Sequence, residues 1–83
     1  MRNTNVYPNL VSKTDSILDA ITMANELALA NDYHYHVINL GKKKYGVYEG
    51  FRAGGVNYIA RPDTLRWYLD RGVTNYPVGN GTL

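Results

Sequence analysis

His34 and His36 stand two residues apart, and Glu49 follows on a second β-prone run. Two imidazoles on one strand face with a carboxylate opposite can hold zinc or iron, and a histidine can also move protons at neutral pH. The competing reading is a hydrogen-bonded histidine pair near a sheet edge, and on balance no metal or other cofactor is expected. Lys42-Lys43-Lys44 can grip phosphate, or can be a solvated hairpin tip that deters edge-to-edge pairing. Tyr33, Tyr35 and Tyr48 can stack bases on an open sheet or contact another protein. Trp67, with Arg71 one helical turn beyond it and Arg66 beside it, has the composition of a protein-interface hot spot. The alternative is that the tail, through Val73, Tyr76 or Pro77, folds back over the indole. Gly54-Gly55 lacks the strand-to-helix context of a phosphate loop. No nucleophile stands beside a plausible base and no carboxylates are usefully paired, so the expectation is a protein that is not an enzyme.

These residues need elements to position them. Ile17, Ala20, Ile21, Ala24, Leu27 and Ala28 recur at helical spacing and predict a helix over residues 13–30. Ser12 is read as its N-cap with Asp15 in a capping-box position, Asp15 and Asp19 in the first turns, and Asn31-Asp32 at its end. Alternating β-prone residues over 33–40 and 44–50 predict a hairpin turning at Lys42-Lys43. In that register Leu40 faces Tyr45, Ile38 faces Val47 and His36 faces Glu49. One face then carries His34, His36, Ile38, Leu40, Tyr45, Val47 and Glu49 and is expected to pack under the helix. The other carries Tyr33, Tyr35, Val37, Asn39, Lys44, Gly46 and Tyr48 and is expected in water. A slip of one residue would exchange every face assignment in the second strand. A short strand over residues 56–60 follows. Pro62 opens a second helix that ends at Gly72, with Leu65, Tyr68 and Leu69 on one side and Trp67 on nearly the opposite one.

The fold class expected is α+β: one small domain of α-β-β-β-α order, with a three-stranded antiparallel sheet and helices packed on one face. Its 83 residues suffice for one thin core, burying roughly 60–65% of the unfolded surface. Residues 1–11 and 76–83 read as irregular. The chain has no cysteine, which excludes disulfides and thiolate metal sites. No apolar run has the length of a signal peptide core or a membrane span, so a cytoplasmic setting without membrane contact is expected.

Net charge is +2, but it is unevenly placed. Residues 1–40 carry Arg2 and Lys13 against Asp15, Asp19, Glu26 and Asp32, a balance of −2. Residues 41–71 carry Lys42, Lys43, Lys44, Arg52, Arg61, Arg66 and Arg71 against Glu49, Asp63 and Asp70, a balance of +4. Eight tyrosines accompany one Trp and one Phe, an excess that favours a binding surface because the phenol is amphipathic.

The α-β-β-β-α order resembles that of double-stranded-RNA-binding domains. Those domains carry a lysine cluster at the start of the second helix. Arg61-Pro62-Asp63-Thr64-Leu65-Arg66 has an acid there, so no site is carried over. The texture of the chain (short, cysteine-free, rich in Asn and Tyr) resembles that of phage-encoded accessory proteins that bind and inhibit a host factor.

Two functions are therefore expected to compete. The first is a non-catalytic protein-binding domain, able to form a homodimer, that works through Trp67, Arg71, Arg66, Tyr35 and Tyr48. The second is an RNA- or single-stranded-DNA-binding module built from Lys42, Lys43, Lys44, Tyr33, Tyr35 and Tyr48.

Overall fold

The computed structural model describes residues 9–72; the expectations for the chain ends, and for a tail over Trp67, lie outside them. Six elements follow one another: β1 (Leu10–Thr14), α1 (Ile17–Asn31), β2 (Tyr35–Gly41), β3 (Lys44–Glu49), β4 (Tyr58–Ala60) and α2 (Pro62–Asp70). The strands form one antiparallel sheet in the order β1-β3-β2-β4. The domain is α+β with two helices, as expected, but a fourth strand precedes α1. This departs from the plain α-β-β-β-α order.

The extra strand corrects the first helix boundary. Ser12-x-x-Asp15 and Ser16-x-x-Asp19 carry the same capping signal, four residues apart. Ser16 is the cap that forms, its hydroxyl accepting from the Asp19 N–H at 3.3 Å. Residues upstream are needed elsewhere: Leu10, Ser12, Lys13 and Thr14 pair with Tyr48, Val47, Gly46 and Tyr45 along the outer edge of β3. That pairing satisfies backbone groups which helix extension would have left a strand edge to expose. Leu10 and Val11 are accordingly strand, not irregular chain.

Ala20, Ala24 and Ala28 are sealed from water along one stripe of α1, and their small side chains let the helix lie close to the sheet. With Ile21 they cover Tyr35, Val37, Val47, Tyr58 and Ala60, and Leu65 of α2 joins the same cluster. Burying a leucine that fully contributes roughly 1.5–3 kcal/mol. Asp32 ends α1 in the left-handed conformation (φ 56°), its N–H bonded to the Ala28 carbonyl.

The hairpin turns at Lys42-Lys43, as expected, both with positive φ (53° and 61°). The register, however, shifts between Asn39 and Gly41, so Leu40 is an extra residue and Asn39, not Leu40, faces Tyr45. Val37 consequently pairs with Val47, Ile38 with Gly46, His36 with Tyr48 and Tyr35 with Glu49. The Asn39 side chain stabilises this bulge by accepting from the Gly41 N–H at 2.7 Å. Val47 packs under α1 as expected, but β2 is turned over: Tyr35 and Val37 face the helix, while Ile38 lies on the opposite face with His36 and Tyr48.

Candidate functional site

The expected open tyrosine face does not form. Tyr35 (3% exposed) lies under α1 and Tyr48 (4%) lies on the other face of the sheet, so neither stands free beside the other. Tyrosine is instead core material here. Tyr35 accepts from Asn31 Nδ2 at 2.8 Å, and Tyr58 donates to Asn25 Oδ1 at 2.5 Å. Two asparagines of α1 thus satisfy hydroxyls that a dry core would otherwise penalise. Tyr48 stacks on His36 with the rings 6° from parallel and 5.3 Å apart. Among the three tyrosines proposed for the surface, Tyr33 is the exposed one.

The histidine–carboxylate set does not assemble either. His36 faces Tyr48, whereas Glu49 pairs with Tyr35 on the opposite side of the sheet. The His36 Nδ1–H donates to the Gly50 carbonyl at 2.7 Å, and the Gly50 N–H donates to the His34 carbonyl. The His34 ring meets Phe51 edge-on at 5.8 Å. Among the described residues no group of three or more His, Cys, Asp and Glu is placed to hold a metal ion. The pair pins the loop that leaves β3.

The lysines sit apart from the aromatics. Lys42 and Lys43 are exposed at the hairpin tip, while Lys44 forms an ion pair with Asp15. Tyr33 precedes the seven-residue β2 and Lys42 follows it, which separates them by roughly 20 Å. A strand touching both the ring and the lysines would have to run about six nucleotides between them, at about 3.4 Å each.

The second helix assembles differently. Pro62 opens it, Leu65 anchors it in the core, and Arg66 ties it to α1 through Asp32 at 2.8 Å, with Asp63 at 3.8 Å. Trp67, opposite Leu65 in helical phase, is 51% exposed. Arg71 folds back over the helix end, with its guanidinium carbon 3.8 Å from the Trp67 ring centroid and Nη1 donating to the Trp67 carbonyl at 3.2 Å. One side chain thereby satisfies a terminal carbonyl and plates the indole. Tyr68 meets the indole edge-on at 5.1 Å, so the exposed ring has a neighbour on a face and on an edge.

A second pair of this kind was not legible beforehand. Phe51 is 54% exposed, and the Arg61 guanidinium lies 5.6 Å from its ring centroid. Phe51 and Arg61 are ten positions apart, on opposite sides of a glycine-containing loop and β4, and no periodicity connects them. Arg52 lies near Gly55 within the same loop.

Among the described residues no helix is long and apolar enough to cross a membrane. Comparison of the chain with protein-family models, curated proteins and solved structures finds no match. The class that fold and site define is a small α+β domain presenting an arginine-plated tryptophan on its second helix.

Proposed function

We propose that this chain is a small protein-binding domain that acts by contact rather than catalysis, with Trp67 and Arg71 of α2 at the centre of the contact. Arg66, beside them, is engaged by Asp32 at the end of α1. The observation that carries this reading is the half-exposed indole, held by Arg71 and Tyr68 on a helix anchored through Leu65. A large ring fixed before binding loses little further entropy when a partner covers it. Tyr35 and Tyr48 drop out of the contact because they are buried. Occlusion of a host factor, the mode of the phage-encoded inhibitors whose composition the chain resembles, suits such a surface, because occlusion needs area and no chemistry.

The test pairs capture with stability. Tagged wild-type protein is expected to retain a partner from its native host's lysate, and Trp67→Ala to lose it. The lost cation–π contact at an exposed site contributes about 0.5–1 kcal/mol, so Trp67→Ala should lower Tm by no more than a few degrees. A partner retained equally by both proteins would sink the reading. The nucleic-acid alternative keeps only the lysine tip and Tyr33 in support. A mobility shift on single- or double-stranded DNA or RNA at low salt, falling steeply as salt rises, would revive it.

A further inference from the structure

The two arginines that bound α2 are used alike. Arg61 is the residue before its first turn and Arg71 the residue after its last, and each guanidinium lies over an exposed aromatic ring: Phe51 at 5.6 Å and Trp67 at 3.8 Å. Ten residues of helical rise place their backbones roughly 15 Å apart along the helix axis. We propose that the Arg61–Phe51 and Arg71–Trp67 pairs form a two-point clamp for an acidic segment of the partner protein, one carboxylate on each guanidinium. The proposal rests on the reading of α2 as a protein-docking helix and names the chemistry of what docks there.

A guanidinium lying over a ring shields one flat face on hydrocarbon and points its N–H groups outward in its own plane. A guanidinium flat on its ring, which the 3.8 Å approach of Arg71 to Trp67 allows, presents those groups to the two oxygens of a carboxylate. The Arg61 side chain forms no hydrogen bond or ion pair among the described residues. Arg71 spends one donor on the Trp67 carbonyl and keeps the rest of its fork. Arg66, between them, differs: Asp32 and Asp63 already neutralise it.

Carboxylates fit these pairs better than bases do. A base stacked on Trp67 would be confined to the ring face that Arg71 leaves open. The exposed lysines suited to phosphate lie at the other end of the hairpin. An extended segment with acidic residues four positions apart holds both on one face and spans roughly 13 Å, at about 3.3 Å per residue, and the two side chains cover the remainder.

Trp67 is the chain's one tryptophan, so its emission reports on a single pair. The experiment titrates the full chain with a synthetic peptide bearing two glutamates four residues apart, on one face when extended, with its glutamine counterpart, and with oligothymidylate. Calorimetry repeats each titration for variants that alter the indole's surroundings. The clamp predicts saturable binding of the glutamate peptide alone, weakened by salt. Arg61→Ala and Arg71→Ala should each lower affinity by about fivefold or more, the range of a charge-assisted pair at a wet surface. Arg61→Lys and Arg71→Lys, which keep charge and lose the fork, should recover only part of it. Lys13→Ala, on the far edge strand, should leave affinity unchanged.

Equal binding of the glutamine peptide would overturn the clamp and leave α2 as an apolar docking surface. So would dependence on Arg71 without Arg61, full recovery by both lysine variants, or no response to either peptide. Binding of oligothymidylate in preference to the glutamate peptide would overturn both the clamp and the protein-binding reading.

Discussion

The Tyr58 hydroxyl donates to Asn25 Oδ1 at 2.5 Å, across 33 residues of sequence, and both side chains are almost completely withdrawn from water. This bond ties the edge strand β4 to α1. It is also only half of what the amide needs, because Asn25 Nδ2 has no partner among the described residues.

Tyr58→Phe should therefore be costly. It leaves the Asn25 carbonyl oxygen buried without a donor, a penalty of about 1–3 kcal/mol. Each kcal/mol corresponds to a fall in Tm of about 4–8 °C for a domain of this size. Urea unfolding of Tyr58→Phe, Asn25→Leu and the double variant closes the cycle. The double variant should be less destabilised than the two single effects added together, and strict additivity would show that the bond carries no coupling energy.

The turn at Lys42-Lys43 is the opposite case, a place where the natural residues are poor. Both lysines hold left-handed backbone (φ 53° and 61°), which strains residues that carry a Cβ. Asparagine and glycine are the residues this two-residue turn favours. Lys42→Asn with Lys43→Gly should stabilise the domain by about 1 kcal/mol, measured by thermal or urea unfolding. A loss of stability would mean that the lysines hold the turn by some other contact.

Gly46 should reverse the usual rule for glycine in a strand. Replacing such a glycine ordinarily gains about 0.5–1 kcal/mol from backbone entropy. Here a Cβ would stand 2.7 Å from Tyr48 Cε1, 3.1 Å from Leu40 Cδ1 and 3.2 Å from Leu10 Cδ1. Tyr48 would have to move off His36, so Gly46→Ala should destabilise by about 1–3 kcal/mol. An unchanged or raised Tm would show that the Tyr48 ring can yield.

Arg66 should matter little to stability on its own. Its pairs with Asp32 and Asp63 are exposed, and exposed pairs contribute about 0–1 kcal/mol. Arg66→Ala should shift Tm by a few degrees at most, and the shift should shrink further in high salt. A drop much beyond that would mean that the bridge to Asp32, and not Leu65, sets the position of α2.

Helix periodicity made α1 visible, because its core stripe of Ile17, Ala20, Ile21, Ala24, Leu27 and Ala28 repeats within a single element. Pro62 and Gly72 marked the second helix for the same local reason. Trp67 and Arg71 were legible together because four residues along a helix bring side chains side by side. The face of β2 was not legible. One extra residue at Leu40 inverts a strand, and that bulge depends on the Asn39 side chain and on which hydroxyls α1 can receive. The Phe51–Arg61 pair was invisible because β4 lies between its members and brings them together only when it docks on β2.

By itself, then, the order of residues determined what each short stretch could become: an alanine-striped helix, a hairpin with a basic tip, a proline-started helix with an outward indole. Tertiary structure alone decided which of two equivalent serines begins α1, which side of β2 is dry, and which arginines are left unneutralised. The reason is range. Periodicity and capping act over a few residues, whereas strand register, burial and ion pairing are settled by partners that only the folded chain brings within reach.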